Sequence, residues 1–522
     1  MTAPRTLGEL LFDAAQRHGD RIAFTAPGGQ LTYGALWERS AGLAAALADA
    51  GVRPGDRVAI CFSKSPELPV AIFGALLTGA AYVPIDYTAP ASRAQQLIAD
   101  AEAAALVCDG RAARRFLGAG EVHEEHGLLA FRVTSGGSGE IAATSIQPTV
   151  AAAAAQFPIR GLSPQSLAYI LYTSGSTGRP KGVCQSHESA LAFVNWSVEH
   201  LQLHSGDVLS QHAAPTFDLS VFDFFAAAAV GAELVAVPEW LYGSVARLCR
   251  FIADAKISIW YSVPSALLRP FSGRPLEVLR TSALRRVVFA GEVLPKGTLR
   301  MLAEALPAGC RIENWYGPTE TNVCTYFEID AESLAGDGPI PIGAACPYAS
   351  LELVEDATGE SELLVSGATV MAGYWRRPDA TASVLRTSAG GKSRTYRTGD
   401  WVTGARDRLV YVGRRDRMLK VRGYRVQPEE VESCLRAHPA VVEAAVFVGG
   451  ETGDRLLAAV VANRSPAPID ELRRFCAEKL PAYMVPADVI ALDELSRTDR
   501  GKVDLPAVRA RILSRAPHAV SD

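Results

Sequence analysis

Apolar residues recur at helical spacing from the start of the chain. Leu7, Leu10, Leu11, Ala14 and Ala15 share one face after Thr6, a good N-cap, and Gly19 closes the segment. A second helical stretch runs over 33–50 and stops at Gly51. The period then changes: Arg57-Val-Ala-Ile-Cys-Phe62 predicts a buried strand, 66–78 another helix, and Ala81-Tyr-Val-Pro-Ile85 a short strand. Strand, helix, strand with short breaks predicts a parallel sheet covered by helices. The stretch 118–165 carries SGGSGE and an Ala-rich run at 150–155 without clear periodicity, so it is expected to be surface loop or weak structure. Strand-and-turn patterns dominate 340–411. From about residue 413, strands over 443–448 and 456–461 mix with helices over 428–437 and 469–479, which predicts a small α+β domain. No repeat of fixed period is present.

Composition sets broad limits. The chain has 522 residues, 48% of them hydrophobic, and a net charge of −4, which is enough for more than one packed domain. It has no Lys/Arg block suited to nucleic acid or to a membrane surface. The first residues lead into an amphipathic pattern, unlike a signal peptide. The longest apolar stretch, 71–85, is broken by Gly74 and Gly79 and is too short to span a bilayer. A soluble, cytoplasmic protein is expected. The nine cysteines are scattered with no CxxC pair, so reduced thiols are expected rather than a disulfide framework or a zinc site.

One loop carries chemistry by itself. Leu167-Ala-Tyr-Ile-Leu-Tyr172 reads as a strand, and Thr173-Ser-Gly-Ser-Thr-Gly-Arg-Pro-Lys-Gly182 follows directly. Its glycines, hydroxyls and one cation offer the short donors and close backbone approach that a polyphosphate needs. It is not a P-loop, because Gly182 rather than Ser or Thr follows Lys181.

With this loop the sequence resembles the adenylate-forming superfamily: adenylation domains of nonribosomal peptide synthetases, acyl-CoA synthetases and luciferases. The resemblance covers nearly the whole chain. It includes Leu31-Thr-Tyr33, LLTGAAYVPID (76–86), Tyr316-Gly-Pro-Thr-Glu320, Tyr396-Arg-Thr-Gly-Asp400, GRRDRMLKVRGYRVQPEEVE (413–432), LPAYMVP (480–486) and TDRGKVD (498–504). The forms AYVPID and LPAYMVP resemble the amino-acid-activating branch. The implied fold class is α/β. A large multi-subdomain core with helix-covered sheets would occupy 1–412, and a small mobile α+β lid would occupy 413–522.

The resemblance also implies roles. Thr173, Ser174, Gly175, Ser176, Thr177, Gly178 and Lys181 would hold the phosphates of ATP. Asp400 would accept from both ribose hydroxyls, a geometrically specific charged contact. Tyr316 would stack on adenine, Asn314 would read its amino group, and Gly291 and Gly317 would lie along the nucleotide. Thr319 would touch a phosphate, and Glu320 would ligate Mg²⁺ as a hard carboxylate. Tyr411 and Arg414 would lie near the ribose, Asp416 would be the hinge of the lid, and Lys420 would belong to a lid face used in a second half-reaction. Lys502 would be the catalytic cation between the attacking carboxylate and the α-phosphate, favouring the transition state over separated reactants.

The acid and its acceptor follow from the same comparison. Asp218 matches the carboxylate that pairs with a substrate α-amino group. Leu219, Phe222, Tyr261, Val288, Ala290, Trp315, Val323 and Cys324 would line the rest of the pocket, without a second charge to satisfy a polar side chain. Alternation along an extended segment would turn Trp315 away from adenine, leaving it either as pocket floor or as core behind the adenine shelf. The pocket resembles that of free-standing prolyl-adenylating enzymes, except that aliphatic residues stand there in place of Phe222 and Trp315. Proline, a cyclic analogue or a small aliphatic amino acid such as alanine or valine all fit this reading. No carrier segment follows Lys502, so a separate phosphopantetheinylated carrier protein is the expected thiol partner. His212 matches an aromatic gate near the thiol tunnel, or else is a core histidine. The alternatives are a small-acid CoA ligase, against which Asp218 argues, and an inactive nucleotide-binding relative, against which Lys181, Glu320, Asp400 and Lys502 together argue.

Overall fold

The computed structural model describes residues 5–117, 128–135, 141–146, 162–174, 180–268, 275–336, 338–356, 360–387, 393–414, 417–449, 455–462, 469–497 and 503–515. The backbone forms two compact units: Met1–Tyr87, Gln95–Tyr172 and Gly182–Gly413 in the first, and Thr88–Ala94, Thr173–Lys181 and Arg414–Asp522 in the second.

In the first unit the N-terminal helices form where their caps and apolar faces predict. Leu7–His18 is capped by the Thr6 hydroxyl, which accepts from the Glu9 amide at 3.4 Å. Tyr33–Asp49 is capped likewise by Thr32, which accepts from Ala35 at 3.1 Å. These helices pack with Glu67–Leu77, His187–His200 and Leu219–Val230 in one hydrophobic cluster that also includes residues of two large sheets. One sheet has eight strands, in the order Gly373–Tyr374, Lys181–Ser186, Leu167–Thr173, Ala81–Pro84, Arg57–Cys61, Ala105–Cys108, Leu129–Ser135 and Ile141–Ile146. Its last two strands correct the expectation of loop or weak structure over 118–165. They form an antiparallel hairpin with Ala130 opposite Ile146 and Val133 opposite Ala143. Ala130, Phe131, Val133 and Ile146 are buried, so four apolar anchors and the edge of the neighbouring strand order it. The Ala-rich run at 150–155 lies outside the described residues.

The other sheet positions the site. Six of its nine strands are parallel, in the order Arg311–Tyr316, Arg286–Ala290, Ile259–Ser262, Val208–Gln211, Glu233–Ala236 and Ile22–Ala26. Thr325–Glu328 and Ala344–Ala345 extend one edge antiparallel, and Gly29–Thr32 closes the other. A five-stranded antiparallel sheet follows, as the strand-and-turn pattern over 340–411 predicts, built on Ala349–Glu355, Ser361–Gly367, Leu385–Thr387, Arg394–Thr403 and Val410–Arg414. No described helix is long and apolar enough to cross a membrane.

The second unit has its own core. Val441–Gly449, Arg455–Ala462 and Asp488–Leu492 form a three-stranded sheet against the helices Pro428–Arg436 and Ile469–Ala477. A hairpin of Leu419–Val421 and Tyr424–Val426 precedes them. These elements match the small α+β pattern read from the sequence.

Candidate active site

In open α/β sheets ligands collect beyond the carboxyl ends of parallel strands. The candidate residues of the first unit cluster there. Tyr261 stands near the end of Ile259–Ser262, Val288 and Ala290 on Arg286–Ala290 with Gly291 just beyond it, and Asn314, Trp315 and Tyr316 at the end of Arg311–Tyr316. Register divides them between the two faces. Tyr261 pairs with Val288 and Ala290 with Trp315, so these four share one face, and they belong to the main hydrophobic cluster. Asn314 and Tyr316 alternate to the other face, as the extended-segment argument predicts. Tyr316 packs there with Ile342, Leu363 and Val402.

On the Tyr316 face, the Asn314 amide nitrogen donates to the Pro341 carbonyl at 2.7 Å. That bond fixes the amide and presents its oxygen as the remaining acceptor, which suits an exocyclic amino group. The Tyr316 hydroxyl donates to the Asp400 carboxylate. Asp400 is fully buried and sits just after a bulge: Leu364 faces Arg397 and Glu362 faces Trp401, so the second strand carries two extra residues. Gly399, at φ +70°, makes that turn. The Thr398 hydroxyl accepts from the Asp400 amide at 3.0 Å and donates to the Leu363 carbonyl at 2.7 Å. The carboxylate is therefore aimed by backbone geometry. Tyr411 lies beside Tyr316, ring centroids 6.3 Å apart.

The loop after Tyr316 is equally constrained. A Cβ on Gly317 would meet the Asn322 carbonyl oxygen at 1.7 Å, so only glycine fits. This loop presents Thr319 and Glu320. Gln185 donates to the Thr319 carbonyl at 3.3 Å and to the Thr369 carbonyl at 3.2 Å, tying the loop to the neighbouring sheet. Glu320 is buried and accepts from the Tyr374 hydroxyl at 2.7 Å. Burial first, then the Glu320 charge, holds that hydroxyl well above its usual range. Among the described residues no group of three or more His, Cys, Asp or Glu is arranged to hold a metal ion.

On the other face, Asp218 stands at the start of Leu219–Val230 without capping it. Leu219 and Phe222 follow in the first helical turns and are buried. Phe222, Tyr261 and Trp315 form a ring cluster with centroids 5.2, 5.3 and 6.0 Å apart. Burial first, then the charges of Asp218 and Asp223, push the Tyr261 phenol well above its ordinary value. Trp315 is enclosed by rings on two sides: one side meets Phe222 and Tyr261, and the other meets Trp196 at 4.9 Å and Phe193 at 6.2 Å. Val323 joins the main hydrophobic cluster, whereas Cys324 packs with Tyr316, Ile342 and Leu363.

Other expected residues fall elsewhere. Thr173 ends its strand and its hydroxyl donates to the Lys181 carbonyl at 3.5 Å. The Ser174 hydroxyl donates to the Arg425 carbonyl at 2.8 Å within the second unit. Arg414 ends Val410–Arg414, and Lys420 lies on the hairpin opposite Arg425. Gly175, Ser176, Thr177, Gly178, Asp416 and Lys502 lie outside the described residues. His212 packs on Tyr242 and Trp260, with centroids 4.5 and 5.3 Å away. Its carbonyl accepts from Lys64 Nζ and from the Tyr242 hydroxyl, both at 2.6 Å.

Sequence reasoning missed several residues of this site. Lys64 is buried, and that burial pushes its ammonium down to about 7. Asp223 is buried one turn beyond Leu219, and its carboxyl is pushed well up for the same reason. Glu313 accepts from the Trp315 indole at 2.7 Å and meets His200 at 2.8 Å. Only Glu313 left a trace: in a strand it must face the same way as Trp315, two residues on.

Comparison with known proteins fits this geometry. The AMP-binding enzyme family matches residues 11–375, and its C-terminal domain family matches residues 430–502. The chain belongs to the AMP-binding enzyme family. As an AMP-binding enzyme it is an adenylate-forming ligase that uses ATP as substrate. Over 508 residues it is 39% identical to an L-proline–[L-prolyl-carrier protein] ligase of Streptomyces coelicolor, covering 94% of each chain. A second ligase of that name, from Pseudomonas fluorescens, is 38% identical over 97% of this AMP-binding enzyme and 99% of its own length. Among solved structures, an artificially fused adenylation–PCP di-domain of Klebsiella oxytoca NpsA-ThdA superposes with a TM-score of 0.77. It is 26% identical and covers 99% and 98% of the two chains.

Proposed function

We propose that the protein joins ATP and a small cyclic amino acid, L-proline first, into aminoacyl-AMP with release of pyrophosphate, and then transfers the aminoacyl group to the phosphopantetheine thiol of a separate carrier protein with release of AMP. The observation that carries the reading is the division of the parallel sheet's carboxyl end. Asp218 and a closed ring cluster stand on one face, and Asn314, Tyr316 and Asp400 stand on the other. That arrangement suits an amino acid whose carboxylate meets the nucleotide across the sheet edge. The two ligases named above, similar over nearly their full length, supply the preference for proline and for a carrier thiol.

In this reading Asp218 pairs with the α-ammonium, and Phe222, Tyr261 and Trp315 limit the side chain to a small apolar ring. Asp400 accepts from the ribose hydroxyls. Tyr316 stacks on adenine and Asn314 Oδ1 accepts from the adenine amino group. Mg²⁺ supplies charge neutralisation on the phosphates, and Glu320 would hold it: one hard carboxylate on a rigid loop is the share of ligands such a site takes from protein. Lys502 stabilises the charge developing between carboxylate and α-phosphate. The segment from 413 acts as a lid hinged at Asp416, keeping water from the mixed anhydride. Dependence on ATP and nine free thiols suit the reducing cytoplasm as the place of action.

Amino-acid-dependent ATP–pyrophosphate exchange tests the first half, using proline, its ring analogues, alanine and valine. Exchange led by proline is expected. Exchange with no α-amino acid refutes the reading. Covalent loading of a holo carrier protein, compared with thioester formation on free CoA, separates carrier loading from a CoA ligase.

A further inference from the structure

Behind the ring cluster lies a polar contact in an otherwise apolar layer. Glu313, two residues into its strand from the exposed Arg311 end, is 1% exposed. Its Oε2 accepts the Trp315 indole N–H at 2.7 Å and lies 2.8 Å from His200 Nε2. His200 ends the helix His187–His200 and stacks on Trp196 at 4.9 Å with 13° between the rings. Trp196 in turn packs against Trp315. A carboxylate buried among aromatic rings is costly unless its partners are fixed. Here the partners are the indole that walls the pocket and an imidazole held by its own stack.

We infer that Glu313 is a positioning residue for amino-acid selectivity: it locks the Trp315 indole in the orientation that limits the pocket, and His200 holds Glu313 in turn. This rests on the reading of Trp315 as pocket wall. An indole needs two fixed torsions to keep its edge in place, and ring packing alone permits rotation about the second. The hydrogen bond to Glu313 selects one orientation. Without it the indole N–H is buried and unpaired, so the ring turns to seek another partner and the cavity widens. Ring size of the accepted amino acid then rests on a residue that never touches it.

The test is ATP–pyrophosphate exchange with L-proline and with its six-membered analogue L-pipecolate, for the full-length parent, Glu313→Ala, Glu313→Gln and Trp315→Ala. Glu313→Ala is expected to lower the proline-over-pipecolate ratio of kcat/KM by about tenfold, the scale of one charge-assisted hydrogen bond. It does so by raising the KM for proline, while the KM for ATP stays within about twofold. Glu313→Gln keeps an amide oxygen that can take the place of Oε2 and accept the indole N–H, so it restores most of the ratio. A ratio unchanged in Glu313→Ala overturns the inference, and so does an equal rise in both KM values. If Trp315→Ala also leaves the ratio unchanged, the pocket reading itself fails. If Trp315→Ala moves the ratio and Glu313→Ala does not, only the positioning role fails. Should Glu313→Ala not fold, His200→Phe takes its place. It keeps the stack on Trp196 and removes the Glu313 contact, and a ratio shift of about threefold is expected. No shift overturns the inference. Absence of exchange by the parent with either acid refutes the function and is seen before any variant is made.

Discussion

Asp218→Asn is the substitution with the most to say about what the pocket binds. The change keeps the shape of the side chain and removes its charge. The structure bounds the effect. Asp218 is half-buried, it does not cap the helix it precedes, and its charge is felt at the buried phenols of Tyr169 and Tyr261. A carboxylate and an ammonium about 4 Å apart attract by about 4 kcal/mol at an effective dielectric of about 20. Desolvation of the incoming ammonium cancels part of this, leaving about 2–3 kcal/mol, or a fall of about 30- to 150-fold in kcat/KM for the amino acid. Asn314 and Tyr316, the proposed nucleotide residues, lie on the opposite face of the sheet, so the KM for ATP is expected to stay within about twofold. Fold stability changes by less than about 1 kcal/mol, because no cap is lost. Pyrophosphate exchange measured against varied proline and then varied ATP separates these terms, with a thermal midpoint as control. A proline kcat/KM within about threefold of the parent refutes the pairing of Asp218 with the α-ammonium.

Gly317→Ala places a methyl 1.7 Å from the Asn322 carbonyl oxygen, which no side-chain movement relieves. A stability loss of at least about 3 kcal/mol with exchange activity abolished is expected, and a variant with the parent's thermal midpoint and rate contradicts that steric account. Lys64 sheds its proton near pH 7 when folded but keeps it to its ordinary range when unfolded. The unfolded chain therefore binds more protons above pH 7, and this group adds stability as pH rises, by about 1.4 kcal/mol per unit at most. Urea unfolding at pH 7 and pH 9 checks this: the stability of the parent relative to Lys64→Met must rise with pH, and a pH-independent difference refutes it. Lys502→Ala is expected to lose about 10²–10³ in the rate of aminoacyl-AMP formation with little change in the KM values, as removal of a transition-state cation does. Full adenylation by that variant removes its assigned role.

Local physics made much of this molecule legible. Thr6 caps its helix as its side chain predicts, and the alternating helices and apolar strands at 57–61 and 81–84 fall within a residue or two of expectation. The hairpin at 129–146 was hidden because few buried apolar residues, Ala130, Phe131, Val133 and Ile146, mark it, and its pairing partner is an edge supplied by a strand some twenty residues earlier. Sheet order was hidden for a like reason: Ile22–Ala26 pairs with Glu233–Ala236, and nothing local to either segment encodes the other. In the site, strand alternation correctly separated Trp315 from Asn314 and Tyr316. The same alternation could have flagged Glu313, but its meaning depends on His200, more than a hundred residues earlier. Cys324 packs with Tyr316, Ile342 and Leu363, a neighbourhood that no local pattern in the sequence marks. Lys64 and Asp223 look like ordinary surface charges until the fold buries them.

The central claim is that a proline-like amino acid is adenylated here. Its most direct test is pyrophosphate exchange by the full-length protein with ATP, Mg²⁺ and L-proline, followed by mass-spectrometric detection of prolyl-AMP. Exchange is expected to require proline, to exceed that with alanine or valine by at least about tenfold, and to yield prolyl-AMP. Exchange with no α-amino acid, or with a carboxylic acid lacking an α-amino group in preference to proline, contradicts it.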